Sequence, residues 1–217
     1  MQKIKGLIIG TTVLILVLIP GLACYTPVMS PSPHTTKSDI PGYLTYIDES
    51  AIFSISYPEG WEAGRWNAKE FIYETTAEEG LKRLESGLPI HDYYTIFAAF
   101  NWVQDKIVAS VFIRLSGRFL GDPYRTIDEA EMGQKRSCPD FVELSRTQTT
   151  VNGREGTIRE WEGTLAQGED QIKKYHLELY IPTKLAIWDV RCSADSDNST
   201  EWQNDFNNIA RSLRIYY

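Results

Sequence analysis

The chain has 217 residues, of which 42% are hydrophobic and 24% charged, which suits one globular domain of roughly 100 to 200 residues with short extensions. Its formal net charge is −7, and loss of residues 1–23, which contain Lys3 and Lys5 and no acid, would lower the charge to −9. Nucleic-acid binders neutralise phosphates with Lys and Arg, so this acidic chain is not expected to bind nucleic acid.

Residues 1–23 have the pattern of an export signal. The two lysines precede an apolar run over residues 6–22, and a small residue, Ala23, follows it. The run is short for a membrane span, which needs about 20 apolar residues.

The sequence Gly-Leu-Ala-Cys at residues 21–24 resembles the bacterial lipobox, in which a peptidase cuts before a cysteine that carries diacylglycerol. Gly21 and Leu22 differ from the leucine and small residue usual at those two positions. The resemblance implies a lipid on Cys24, with an uncleaved membrane anchor and a cleaved soluble protein as alternatives. All three interpretations place the domain outside the cytoplasm, and the first attaches it to the membrane.

Residues 24–42 are predicted to be a tether between the membrane and the domain. Pro27, Pro31, Pro33 and Pro41 lie there among Ser and Thr, a composition that buries too little apolar surface to offset the entropy of ordering. The folded domain is predicted to cover residues 43–217.

Several segments of this domain are predicted strands, because β-branched and aromatic residues recur there with alternating polarity. Asn152 and Gly153 supply the two positive-φ residues of a type I′ turn, which predicts a tight hairpin. The last predicted strand is apolar on both sides, which favours a central position covered on both faces. The predicted strands are residues 43–47, 51–57, 65–75, 93–102, 107–115, 141–151, 154–165, 174–181 and 184–192.

Three helices are predicted. Residues 76–79 and 126–129 fit capping boxes, so helices are expected over residues 76–86 and 127–137. Residues 196–213 are expected to form the longest helix, with Asn198 and Glu201 at its cap, and this helix carries one apolar stripe. The stripe consists of Trp202, Phe206, Ile209 and Leu213.

Residues 53–61, with the sequence FSISYPEGW, are similar to the opening strand and turn of PsbP-like proteins. The Asn152-Gly153 hairpin and the final helix running into residues 212–215 also resemble that family, so the resemblance covers residues 43–217. It implies an α+β fold in a single domain, an antiparallel β-sheet flanked by helices as an α/β/α sandwich. The family includes an extrinsic subunit that stabilises the metal cluster of photosystem II, and bacterial lipoproteins without known activity.

Two cysteines remain in the domain if Cys24 carries lipid. Cys138 and Cys192 form an even pair in an oxidising compartment, so a disulfide between them is one expectation and two separate buried thiols are the other. Their separation does not fit a zinc site.

His176, Glu178 and Tyr180 share one face of a predicted strand, as Thr157, Arg159 and Trp161 do on another. The first three are a candidate ligand patch, although such a set more often forms the solvated side of a strand. No G-x-S-x-G, P-loop, G-x-G-x-x-G or H-E-x-x-H motif occurs in the sequence, so no catalytic residue, metal site or cofactor is predicted.

These features favour a non-catalytic protein rather than an enzyme. The predicted function is a lipid-anchored binding or accessory subunit that associates with a membrane protein complex on the extracytoplasmic side. The alternative is a small-ligand or metal-binding lipoprotein that uses the cleft beside His176 and Glu178.

Overall fold

Two antiparallel β-sheets make up most of the described chain. The structure is a computed structural model that describes residues 30–31, 35–65, 77–78, 81–82, 94–117, 135, 138–167, 170–184 and 186–216. Its strands are β1 (Ser30–Pro31), β2 (Thr35–Lys37), β3 (Tyr43–Ile47), β4 (Phe53–Pro58), β5 (Glu62–Arg65), β6 (Tyr94–Val103), β7 (Lys106–Gly117), β8 (Val142–Val151), β9 (Arg154–Gln167), β10 (Asp170–Pro182), β11 (Ala186–Asp195) and β12 (Arg214–Ile215).

The larger sheet has eight strands in the order β1-β5-β6-β7-β11-β10-β9-β8, and the smaller has four in the order β12-β4-β3-β2. Every pairing is antiparallel. Strand β11 lies between β7 and β10, so the prediction that the last long strand is central is confirmed. A short 3-10 turn, Ser196–Asn198, follows β11 and leads into the helix α1 (Ser199–Ser212).

The hydrophobic core lies between one face of the larger sheet, the smaller sheet and α1. Phe53 of the smaller sheet packs edge-on against Trp188 of β11, with ring centroids 5.6 Å apart. Tyr46 contacts Phe97 of β6 at 4.8 Å. The predicted stripe of α1 is confirmed, because Trp202, Phe206 and Ile209 are buried in this core.

The predicted α/β/α sandwich is wrong. The described residues form two sheets with α1 beside them, rather than one sheet covered by helices. The resemblance to PsbP-like proteins implied helices on both sides of the sheet. One face in fact packs against the smaller sheet and α1, and the other carries buried polar groups that pair with one another.

The two other predicted helices fall largely outside the described residues. Ala77, Glu78, Leu81 and Lys82 are helical, inside the first predicted segment, and of the second, residues 127–137, Lys135 alone is described. The predicted strand 65–75 is described at Arg65 only. In the described ranges, no helix combines the length and apolar content needed to cross a membrane.

Part of the segment predicted as a tether pairs with the domain. Residues 35–37 form β2 at the edge of the smaller sheet, where Thr36 pairs with Thr45. Ser30 and Pro31 form β1 and pair with Arg65 and Gly64 of the larger sheet. Paired structure therefore begins well before residue 43.

The hairpin predicted at Asn152-Gly153 is confirmed. Both residues have positive φ, 48° and 80°, as a type I′ turn requires. The Asn152 side chain also donates from Nδ2 to the carbonyl oxygen of Leu213 at 2.7 Å, which fastens the turn to the chain after α1.

Gly153→Val is expected to lower the free energy of unfolding by about 1 to 2 kcal/mol, because a β-branched residue is strained at positive φ. Urea unfolding followed by circular dichroism would measure this loss. The matched control is Thr147→Val, an exposed position in the middle of β8, which should change stability by less than about 0.5 kcal/mol. Equal effects at the two positions would contradict the turn assignment.

Candidate functional site

The face of the larger sheet that points away from the core carries charged side chains. Cross-strand register places Glu178 of β10 opposite Arg159 of β9 and Arg191 of β11. The next pairs along the same face are Tyr180 with Asp189, and Asp189 with Arg114. We call these residues the buried polar cluster: Arg114, Arg159, His176, Glu178, Tyr180, Asp189 and Arg191.

Glu178 is the centre of the buried polar cluster. Its Oε2 accepts from Arg159 Nη2 at 2.5 Å and from Tyr180 OH at 2.6 Å, while Arg191 Nε pairs with Oε1. The side chains of Glu178 and Arg159 are 0% exposed. Burial alone would raise the pKa of Glu178, but Arg191 and Arg159 hold it well below its usual range, so the carboxylate is ionised.

A second ion pair lies beside the first. Arg114 Nη2 pairs with Asp189 Oδ2, and both side chains are nearly inaccessible. Burial raises the pKa of Asp189, and the nearby guanidinium groups of Arg114 and Arg191 offset that rise only in part. The buried polar cluster therefore holds three arginines and two carboxylates, joined by ion pairs that bridge β7, β9, β10 and β11.

His176 is buried as a neutral ring. Its side chain stacks on Trp161, with ring centroids 3.8 Å apart and an angle of 14° between planes, and the residue is 1% exposed. Burial, reinforced by Arg191, lowers the pKa of His176 to about 3. Neither ring nitrogen has a hydrogen-bond partner among the described residues.

Phe141 closes part of this face. Its ring lies 5.1 Å from that of Trp161, and the Arg159 guanidinium carbon lies 5.7 Å from its centroid. A guanidinium over an aromatic face gains cation–π attraction, which is larger where water is excluded. The aromatic rings thus seal the cluster from the β8 side.

The structure brings together the three residues of the predicted ligand patch, but they are not a solvated surface. His176, Glu178 and Tyr180 are at most 3% exposed. The sequence analysis missed their partners Arg191, Asp189 and Arg114. Knowledge of how β10 and β7 pair with β11 would have identified them. Across the part of the chain that is described, no group of three or more His, Cys, Asp or Glu is placed to hold a metal ion.

The two cysteines are buried free thiols, which was the second of the two expectations. Cys138 donates from Sγ to the carbonyl oxygen of Thr164 at 2.9 Å, close to Gly163. Cys192 lies in the main core on β11, opposite Leu177. Gly163 and Leu177 belong to opposite faces of the larger sheet, which separates the two sulfur atoms.

Glu178→Gln is expected to lower the free energy of unfolding by about 3 to 5 kcal/mol, because the buried charges of Arg159 and Arg191 lose their counter-ion. Urea unfolding measures the loss. Glu143→Gln is the matched control, since Glu143 pairs with Arg146 at the surface and an exposed pair contributes less than about 1 kcal/mol. Similar small losses in both variants would show that Glu178 is not a structural centre.

His176→Phe is expected to change how stability depends on pH. The pKa of His176 is lower in the folded state than in the unfolded one, so its contribution is complete above about pH 6.5 and is lost as pH falls towards 3. Across that range the wild type should lose up to about 1.4 kcal/mol per pH unit more than the variant, which keeps a stacking ring but cannot titrate. Unfolding free energies measured from pH 7 to 4.5 test this, and parallel curves would contradict it.

Comparison with known proteins gives no match to a protein-family model and none to a curated protein sequence. Among solved structures, cyanobacterial PsbP (CyanoP) from Synechocystis sp. PCC 6803 is similar, with a TM-score of 0.52 and 13% identity. That alignment covers 86% of this chain and 100% of CyanoP.

Two further structures are similar at lower scores. The Ran-binding protein Mog1p of Saccharomyces cerevisiae has a TM-score of 0.46 and 8% identity over 80% of this chain and 95% of Mog1p. LpqN of Mycobacterium tuberculosis, involved in cell envelope biogenesis, has a TM-score of 0.35 and 13% identity over 88% of this chain and 90% of LpqN. The match to CyanoP confirms the predicted resemblance at the level of fold: the domain of this chain has a PsbP-like fold.

Proposed function

We propose that this protein is a non-catalytic accessory or binding subunit, attached by a lipid on Cys24 to the extracytoplasmic face of the cell membrane. Its domain, residues 43–217 with the preceding paired strands, associates there with a membrane protein complex. The lipobox-like sequence at residues 21–24 supports the attachment. The PsbP-like fold supports the accessory role, because the family that the sequence resembles includes an extrinsic subunit of photosystem II.

The observation that carries the proposal is the internal pairing of Glu178. Both of its carboxylate oxygens are engaged by side chains of the same sheet, and the residue is 0% exposed. A ligand that replaced Arg159 or Arg191 would leave a buried charge uncompensated, which costs several kcal/mol. The polar groups that were the best candidates for a ligand site therefore stabilise the sheet instead. A protein partner would have to bind the exposed surface.

The alternative, a small-ligand or metal-binding lipoprotein, has one observation in its favour. His176 is held neutral, the form in which imidazole binds metals, and its nitrogens lack hydrogen-bond partners among the described residues. Its stacked contact with Trp161 and its burial oppose entry of a ligand. We therefore rank it second.

The test is chemical cross-linking of the tagged full-length protein in its native membranes, followed by mass spectrometry of the captured proteins. We expect one membrane protein in near-stoichiometric amount with the wild type, and loss of that partner with Cys24→Ala, which cannot receive the lipid. Capture should persist with His176→Phe, the control for the buried polar cluster, because this variant changes a buried ring without touching the anchor or the exposed surface.

Two results would decide against the proposal. Capture of no protein above background, together with uptake of a metal or small ligand that His176→Phe abolishes, would favour the alternative. Equal partner capture by the wild type and Cys24→Ala would show that the association does not depend on a lipid at Cys24.

A further inference from the structure

The two ends of the larger sheet differ in charge. One end, which we call the anchor end, contains the Asn152-Gly153 turn, the residues after β10, and β12. The opposite end, the far end, contains the β6–β7 turn, the start of β5 and the start of α1. Antiparallel pairing fixes these assignments, since Val151 pairs with Arg154 at one end and Val103 with Lys106 at the other.

The direction of β1 follows from its pairing. Strand β1 pairs Ser30 with Arg65 and Pro31 with Gly64, while β5 pairs Gly64 with Ala98 and Glu62 with Phe100. Strand β1 therefore runs towards the far end, and Ser30 is its residue nearer the anchor end. Strand β2 also starts near the anchor end. Its first residue, Thr35, pairs with Tyr46 of β3, which lies next to the part of β4 that pairs with β12.

The distance from the lipid to the domain is short. The chain from Cys24 to Ser30 spans at most about 20 Å when fully extended. By cross-strand register Pro31 is level with Phe112, near the middle of β7, and Ser30 lies one residue closer to the anchor end. A lipid on Cys24 therefore puts the anchor end within reach of the membrane, and the charge of the two ends decides which of them faces it.

The anchor end is basic among the described residues. Lys82, Lys184, Arg211 and Arg214 are exposed and Arg154 is half-buried, while the exposed acids at this end are Glu49, Glu78 and Glu155. Glu78 pairs with Lys82, so the remaining cations outnumber the remaining acids. Tyr216, which is 56% exposed, lies beside them and adds an aromatic ring of the kind found at membrane interfaces. The Arg154 and Asn152 side chains both donate to backbone carbonyls around β12, which keeps these groups together.

The far end has the opposite sign. Its exposed lysines are Lys37, Lys106, Lys135 and Lys173, and the last pairs with Glu162. Acidic residues outnumber them there. The exposed carboxylates at the far end are Asp39, Glu59, Glu62, Asp105, Asp140, Asp197 and Glu201.

We propose that the anchor end, with Arg154, Lys184, Arg211, Arg214 and Tyr216, docks on the headgroups of an anionic phospholipid bilayer and so orients the anchored domain. This inference rests on the lipid attachment in the proposed function. The anchor brings the basic end into contact, and the acidic far end is repelled from the same surface. The far end and the β8 edge then remain accessible to a protein partner.

The interaction is electrostatic and short in range. Each Lys or Arg near an anionic surface contributes about 1 kcal/mol, and the attraction decays within the Debye length of about 10 Å at 0.1 M salt. Such an attraction would be weak for a free domain in a solution of vesicles. It is sufficient to orient a domain that a lipid already holds at the surface.

The test uses the purified full-length lipoprotein reconstituted into vesicles with spin-labelled headgroups. A fluorophore is attached to Thr150→Cys near the anchor end or to Val103→Cys at the far end, both exposed positions. The native Cys138 and Cys192 are 1% and 0% exposed, so they are protected from labelling. Vesicles of phosphatidylcholine with about a third phosphatidylglycerol are compared with vesicles of phosphatidylcholine alone.

With anionic vesicles we expect quenching of the Thr150→Cys probe at least threefold stronger than that of the Val103→Cys probe. The difference should shrink on neutral vesicles and in 1 M salt, where the Debye length is about 3 Å. It should be lost in Arg211→Glu/Arg214→Glu and kept in the charge-matched far-end control Lys106→Glu/Lys173→Glu. Thermal unfolding of each variant confirms that these surface changes leave the fold intact.

Equal quenching at the two positions, stronger quenching at position 103, or a difference insensitive to lipid charge would each overturn the proposal. Mass spectrometry of the N-terminal peptide shows whether Cys24 carries lipid, which distinguishes failure of the docking proposal from failure of the proposed function. A protein with lipid on Cys24 and no preferred orientation would overturn the docking surface alone, and a protein without that lipid would overturn both.

Discussion

The pairing of one buried carboxylate with arginines from both neighbouring strands constrains the whole larger sheet. Glu178 is ionised without contact with water, and it is stable there because Arg159 and Arg191 meet it from β9 and β11. A shift of either strand by one residue would send its arginine to the opposite face, into the apolar core, and would leave Glu178 unpaired. The charged pairs therefore specify the strand register in the middle of the sheet. The apolar pattern of β11 specifies the register less well, because this strand has apolar residues on both faces.

The opposite face of the same strands provides most of the hydrophobic burial. Leu177, Leu179 and Val190 share the core with Trp188 and with the aromatic residues of the smaller sheet. The smaller sheet and α1 are in turn held by polar contacts at their edges, such as the hydrogen bond from Tyr43 OH to Asp205 Oδ1 at 2.5 Å. Burial and this carboxylate raise the pKa of Tyr43 to about 12, so the phenol remains a donor at neutral pH. One face of the larger sheet thus supplies burial, while the other determines register.

Local patterns in the sequence predicted the elements that depend on neighbouring residues. The alternation of apolar side chains predicted the strands, the Asn152-Gly153 pair predicted the hairpin, and the apolar stripe predicted α1. Asn198 does sit at the N-cap of α1, but its side chain makes no capping hydrogen bond there. The pattern located the end of the helix without identifying how that end is stabilised.

The errors came from contacts between segments that are distant in the sequence. Glu178 and His176 look like residues of a solvated strand face, and their burial follows from arginines supplied by other strands and from the ring of Trp161. The expectation of flanking helices came from the resemblance to PsbP-like proteins. The sequence of β11 predicts only that both of its faces are covered, and no short-range pattern distinguishes cover by helices from a second sheet on one face and paired charges on the other.

The position of β11 has a consequence for the order in which the protein can fold. This central strand pairs with β7, and Arg114 and Asp189 of these strands are 75 residues apart in the chain. The β5-β6-β7 half of the sheet stays an open edge until β11 has been synthesised, near the end of the chain. A nascent chain that lacks β11 therefore cannot close the larger sheet. Its two halves, β5-β6-β7 and β10-β9-β8, are joined only when residues 186–195 have been synthesised and pair with both of them.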